Sequence, residues 1–144
     1  MFDAAAPLVF GAFTRPELLV RWYGARGWRL VECEVDLRVG GRWRFVSHGP
    51  GGRMVQYGTY RAVDPPHRLA CTELFEDQSY PGETLVDHEF TELVGRTTVT
   101  TTLRYATPEG RDTVLRYPMA RGVRESFTRL ADLLHQTSTT GEIP

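Results

Sequence analysis

The chain has 144 residues, and 17 basic against 18 acidic residues leave a formal net charge of −1. That length is one domain, long enough to bury a core without disulfides or metals, and the balanced charge excludes bulk attraction to nucleic acid or an anionic membrane. Hydrophobic residues at 41% and charged residues at 24% place it among soluble globular proteins.

Every basic residue is arginine, scattered along the chain and not gathered on one helix. This reads as compositional bias, not as an anion-binding patch. Cys33 and Cys71 are far apart, each inside a strand-like run, with no metal or redox spacing. They read as reduced core residues. The apolar run Ala4 to Phe13 contains Pro7, follows Asp3 and lacks a basic flank, so it fails as a signal peptide and is too short to span a bilayer. A cytoplasmic location is the expectation.

Residues 2–24 predict two short helices. Pro7 suits a first turn, and Val9, Phe10 and Phe13 share a face. Thr14-Arg15-Pro16-Glu17 fits a capping box, with the Thr14 hydroxyl and Glu17 each meeting a free N–H of the second helix. Leu18, Leu19 and Trp22 follow at helical spacing, and Gly24 ends the segment. Trp22 and Trp28 read as core or rim residues.

Six strands follow. In Trp28 to Leu37, the apolar Val31, Cys33, Val35 and Leu37 alternate with Glu32, Glu34 and Asp36. Past Gly40-Gly41, Trp43 and Phe45 alternate with Arg42 and Arg44 over 42–47. This is a tight hairpin with one apolar and one charged face, the two glycines supplying positive φ. Arg38, Arg42 and Arg44 with Glu32, Glu34 and Asp36 predict a solvated charge lattice, each pair worth ~0–1 kcal/mol. Met54 to Val63 is the third strand, with Gly58 marking a bulge or bend. Leu69 to Phe75 is the fourth, Leu85 to Glu92 the fifth, and Thr97 to Tyr105 the sixth, after a Val94-Gly95 turn.

After Pro108 and Gly110 the period becomes 3.6. Pro118 opens the longest helix, to about Gln136, roughly 28 Å at 1.5 Å per residue. Met119, Val123, Phe127, Leu130, Leu133 and Leu134 form a stripe to cover the sheet's apolar face, while Arg121, Arg124, Glu125, Arg129 and Asp132 face away. The domain thus spans 1–136, and 137–144 is a polar, flexible tail.

Phe2-Asp3-Ala4, Thr14-Arg15-Pro16-Glu17-Leu18-Leu19, Arg21-Trp22-Tyr23-Gly24, Asp36-Leu37-Arg38-Val39-Gly40-Gly41-Arg42, Gly58-Thr59-Tyr60-Arg61, Pro65-Pro66-His67-Arg68-Leu69 and Thr97-Thr98-Val99-Thr100 together resemble one family. It is the domain named after the C-terminal part of the activator of the heat-shock protein 90 ATPase, within the START and Bet v 1-like (SRPBCC) superfamily. The resemblance runs from Phe2 to about His135. It implies an α+β helix-grip fold: a curved antiparallel sheet around the long helix, with an apolar cavity between them. At Tyr117-Pro118-Met119-Ala120-Arg121-Gly122 the family usually has Ser-Gly before the Met; Met119 and Gly122 match. The family also carries a first strand before the position of Phe2. Its absence here leaves an open sheet edge, and the alternatives are a start further upstream or a second copy covering that edge as a homodimer.

Alternation puts Val86, His88 and Phe90 of the fifth strand on the apolar side, and Leu69, Cys71, Glu73 and Phe75 of the fourth likewise. Antiparallel pairing then sets Glu73 beside or diagonal to His88. A carboxylate and an imidazole in a low-dielectric pocket hold each other charged or position a proton. Trp43, Phe45, Met54, Tyr60, Thr101, Met119 and Val123 are the other expected cavity-wall residues. The four histidines lack ligand spacing and no phosphate loop is present, so no metal and no cofactor are expected. The first expectation is therefore a stand-alone binding module for a small hydrophobic or aromatic molecule. A cyclase-, aromatase- or hydrolase-type enzyme using Glu73 and His88 is the second, and a chaperone-associated partner, suggested by the family name, the third.

Overall fold

The computed structural model describes residues 2–24, 27–76, 83–105 and 119–140, with side chains of the last segment described over 124–135. Among these residues lie helices α1 (Ala6–Thr14), α2 (Pro16–Trp22) and α3 (Met119–Thr140). The strands are β1 (Arg29–Val35), β2 (Arg42–Gly49), β3 (Gly52–Asp64), β4 (Arg68–Phe75), β5 (Thr84–Leu93) and β6 (Arg96–Tyr105). The strands form a single antiparallel sheet in chain order, with β1 and β6 at its edges.

Phe2 is tied to the sheet. Phe2 exchanges two backbone hydrogen bonds with Thr97, at 2.7 and 2.9 Å. The Thr97 hydroxyl donates to the Ala4 carbonyl at 2.7 Å, and Thr97 is fully buried. Removing that hydroxyl without changing shape strands a buried carbonyl. Thr97→Val is expected to cost about 1–2 kcal/mol in a chemical denaturation midpoint, and an unchanged midpoint would contradict this anchoring.

Pro7 lies in the first turn of α1, as expected, but the first N–H is met from elsewhere: Ala6 donates to a Glu92 carboxylate oxygen on β5 at 2.6 Å. The capping box does not form. Thr14 is the last residue of α1, and its hydroxyl donates back to the Phe10 carbonyl at 3.0 Å. Arg15 occupies the N-cap of α2, and Glu17 pairs with it at 2.9 Å. With one residue between the helices, the Thr14 side chain belongs to the helix that ends, not to the one that begins. Phe10 and Phe13 meet the ring of Phe90 edge-on at 5.3 Å each, which seats α1 on β5.

The alternation in β1 is broken. The register against β2 shifts between Leu30 and Glu32, so Leu30 is buried while Val31 is 38% exposed. A bulge flips the faces on either side of it, which leaves Cys33 and Val35 half-buried and pointing inward. Leu37 falls beyond the strand and is exposed. The β1–β2 connection is six residues long, not a tight hairpin. Gly40 has φ +83°, and its N–H donates to the Tyr60 carbonyl at 2.8 Å on β3. A Cβ on Gly41 would lie 2.0 Å from the Asp36 carbonyl oxygen, so close approach and not positive φ requires that glycine. Of the charge lattice, Arg44 meets Glu32 at 3.3 Å and Arg38 meets Asp36 at 2.9 Å, both exposed. Val94 (φ 52°) and Gly95 (φ 73°) form the expected tight turn between β5 and β6.

Helix α3 has 22 residues, roughly 33 Å, and continues through Thr140, past the expected end at Gln136. The stretch expected to be a flexible tail is therefore helical over 137–140; residues 141–144 lie outside the described ones. Leu130, Leu133 and Leu134 are buried as the stripe requires. Phe127 meets Phe2 edge-on at 5.7 Å and the rings of Phe13 and Trp22 at 6.3 Å each. The stripe thus reaches the sheet through an aromatic layer supplied by α1 and α2. Arg129, expected to face away, is half-buried instead: its guanidinium donates to the carbonyls of Gly24 at 3.0 Å, Trp28 at 3.3 Å and Tyr23 at 3.5 Å. The Tyr23 and Gly24 carbonyls follow the end of α2 and the Trp28 carbonyl precedes β1, and a long cationic side chain from α3 supplies donors to all three.

Candidate functional site

Residues opposite one another in an antiparallel pair share a face. Trp43 on β2 lies opposite Gly58 on β3, Glu73 on β4 opposite Thr84, and Thr84 opposite Tyr105 on β6. Gly58 and Glu73 each lie one step past the Tyr57↔Leu74 pair, which sets the two pairs side by side on one face. The next row holds Phe45, Gln56 and Phe75. These two rows floor the sheet's inner side beneath the end of α2.

Gly58 is what lets the first row form. The β3–β4 pairing lapses between Tyr57↔Leu74 and Tyr60↔Cys71. Across that gap the Trp43 indole N–H donates to the Thr72 carbonyl at 3.1 Å, and the Thr59 N–H donates to the Thr72 hydroxyl at 3.0 Å. Two side chains thus supply partners for the Thr72 carbonyl and the Thr59 N–H where the ladder lapses. The indole ring is thereby fixed in the inner wall, next to Phe45 at 4.8 Å.

A polar cluster stands in this aromatic surround. The Gln56 side-chain amide donates to the Tyr23 hydroxyl at 3.0 Å and to a Glu73 carboxylate oxygen at 3.3 Å. Its own carbonyl oxygen, Oε1, is buried without a partner. Tyr23 follows α2 and packs its ring edge-on against Phe45 at 5.1 Å. Burial pushes the Glu73 carboxyl up to about 7, only partly opposed by the Gln56 hydrogen bond. Burial, and then the charge of Glu73, pushes the Tyr23 phenol well above its ordinary range. The same two causes push the Cys71 thiol up to about 12, and burial pushes Cys33 up to about 11. Both thiols are therefore protonated and inert at neutral pH.

His88 is inward on β5, as expected. Its Nδ1 is 2.8 Å from the Thr101 hydroxyl on β6, directly opposite, and its ring meets Phe13 edge-on at 5.1 Å. Burial lowers its pKa to about 4, so the imidazole is neutral at pH 7. Glu73 and His88 are not neighbours. The β4–β5 register pairs Glu73 with Thr84 and Leu69 with His88, four residues apart along the strand, or roughly 13 Å at the rise of a strand. Alternation assigned the face correctly, but a four-residue slip preserves every face and the loop sets the slip. The expected acid–base pair therefore does not form.

Trp43, Phe45 and Tyr60 are buried in the inner wall, and Met54 is half-buried opposite Ser47. Thr101 holds His88 but remains exposed. The side chains of Met119 and Val123 lie outside the described residues. Two residues of the cluster went unremarked in the sequence. Gln56 had a signal: it sits between Met54 and Gly58 at the inward period of β3, a polar residue on an apolar face. Tyr23 had none, because Arg129 and Phe45 place it. A separate concavity of about 760 Å³ opens on the outside, lined by the start of α1, residues 64 and 66–68 and the 89–92 end of β5. It is open and charged, and Glu92 already occupies the helix end there. It is also remote from the Glu73 cluster. Among the described residues no group of three His, Cys, Asp or Glu side chains converges as a metal site would.

A curved six-stranded antiparallel sheet, two short helices ahead of it and a long C-terminal helix define an α+β protein of the helix-grip class. Residues 3–135 match the family described as Activator of Hsp90 ATPase homolog 1-like protein, and the chain belongs to that family. A crystal structure of a Rhodobacter sphaeroides protein is similar at 36% identity and TM-score 0.87, covering 94% of this chain and 89% of that one. Protein Ms6760 from Mycobacterium smegmatis is similar at 26% identity and TM-score 0.82, covering 92% and 85%. Protein NE0264 from Nitrosomonas europaea shares the fold at 24% identity and TM-score 0.82, covering 96% and 92%. No curated protein matches the chain. No helix among the described residues is long and apolar enough to cross a membrane.

Proposed function

We propose that this protein is a binding module that holds a small hydrophobic or aromatic molecule between the sheet and α3. The fold commonly binds hydrophobic ligands. The observation that carries the reading is surface left open on the sheet's inner side. Val86 and Phe90 of β5 are buried, yet Leu103, opposite Val86, is 40% exposed, and Thr101, opposite His88, is exposed too. Glu73, His88 and Tyr23 keep accessible surface although burial dominates their ionisation. Groups that are desolvated but not sealed by packing are what a lined hollow produces. Trp43, Phe45, Met54, Tyr60, Glu73, His88 and Thr101 are the proposed wall.

The neutral dye N-phenyl-1-naphthylamine, which brightens in apolar surroundings, tests this. It is expected to bind saturably at one site. Leu103→Trp fills the open surface opposite Val86 and is expected to weaken binding at least tenfold. Val39→Trp, on the exposed β1–β2 loop, is expected to leave binding unchanged. Non-saturating binding, or equal affinity in both variants, would sink the reading.

A further inference from the structure

We propose that the molecule bound here carries a protonated amine, held by the Glu73 carboxylate and flanked by the rings of Trp43, Phe45 and Tyr23. This rests on the cavity reading above and adds the chemistry of the polar end.

The cluster is rich in acceptors and short of donors. The Gln56 amide serves both the Tyr23 oxygen and one Glu73 oxygen, while its own Oε1 is buried with no partner. Gln56 is only 5% exposed, so its amide is fixed in the wall and holds the Glu73 carboxylate in place. Glu73 makes no ion pair among the described residues. The titratable groups around it are Tyr23 after α2, Cys71 on its own strand, Tyr105 on β6 and, beyond Tyr23, Cys33 on β1. All four are uncharged at neutral pH, so none neutralises the carboxylate.

The surround suits a cation. Trp43 lies opposite Gly58, and its indole N–H donates to the carbonyl of Thr72, the residue before Glu73. Tyr23 and Phe45 stand edge-to-face in the neighbouring row at 5.1 Å. An ammonium brings up to three N–H donors and a charge, and both carboxylates and aromatic faces attract it. A neutral alcohol would bring one donor and no charge to set against Glu73. A carboxylic acid would add a second anion beside it.

Three probes of one shape distinguish these cases: 2-phenylethylamine, 2-phenylethanol and 3-phenylpropanoate, titrated calorimetrically into the full chain at pH 8. The amine is expected to bind at least tenfold more tightly than the alcohol, and the acid most weakly. Glu73→Gln is expected to abolish the amine's advantage while keeping the alcohol's affinity within about twofold. With wild type, amine affinity is expected to fall as pH drops from 8 to 6, because Glu73 takes up a proton, raised as it is to about 7. Equal affinity for amine and alcohol, or an amine preference that survives Glu73→Gln, overturns the proposal. A chain that binds the naphthylamine dye without any amine preference loses this proposal and keeps the cavity. A chain that binds neither dye nor probes loses both.

Discussion

Gly58→Ala is expected to destabilise the protein by about 3 kcal/mol, at the upper end of what overpacking costs. The added Cβ would sit 1.8 Å from the Thr72 carbonyl oxygen and 2.9 Å from the Trp43 indole nitrogen. The first obstacle is backbone of the adjacent strand, which cannot swing aside as a side chain would. The β3–β4 gap would have to widen, and the Trp43–Thr72 hydrogen bond would be lost with it. The measurement is a denaturant midpoint at unchanged m, read beside tryptophan emission, which should shift as the indole leaves its place. Gly51→Ala is the control. Its Cβ would meet only the Trp28 ring, at 3.8 Å, and a change within about 0.5 kcal/mol is expected. A Gly58→Ala protein as stable as wild type would mean the two strands are not held as close as described.

Glu73→Gln is expected to change how stability depends on pH, by about 2–3 kcal/mol across neutrality. The folded carboxyl titrates near 7 and the unfolded one near 4.5. Between those values the native protein holds a proton that the unfolded chain has released, so this group weakens the fold as pH rises. The span is about 2.5 pH units at ~1.4 kcal/mol each, discounted for the surface Glu73 keeps. His88 acts in the opposite sense. Folded it titrates near 4 and unfolded near 6.5, so it weakens the fold as pH falls through that window. From about pH 4.5 to 6.5 the two slopes oppose and largely cancel in the wild type. Glutamine removes one of them. Relative to wild type, Glu73→Gln should be level below about pH 4.5 and gain 2–3 kcal/mol by pH 8. Denaturation at pH 4, 6 and 8 measures it, and parallel curves for the two proteins would show that Glu73 is not desolvated.

Both predictions rest on groups whose residue types were plain in the chain and whose neighbours were not. Gly58 was legible as an irregularity within a strand, but its purpose depends on an indole from β2 reaching a carbonyl on β4. Glu73 and His88 were legible as inward residues, because alternation alone fixes the face. Their separation was not, because a slip of four residues leaves the alternation intact. Leu30 and Val31 exchange roles for a related reason: a bulge is one inserted residue, and nothing in Leu30-Val31-Glu32 announces where it falls. The Thr14 capping box failed through geometry, since the two helices leave a single residue between them and the hydroxyl turns back.

The order of elements, the inward faces of β2 to β6 and the leucine stripe of α3 came from the chain alone, because periodicity is a local property that burial enforces. The family resemblance likewise needed only short runs of residues. Tertiary structure alone decided the strand registers, the Arg129 clasp on the end of α2 and the meeting of Tyr23, Gln56 and Glu73. Each of these depends on distances between residues far apart in the chain, and those distances are set by loops, bulges and packing that act only once the whole sheet has closed.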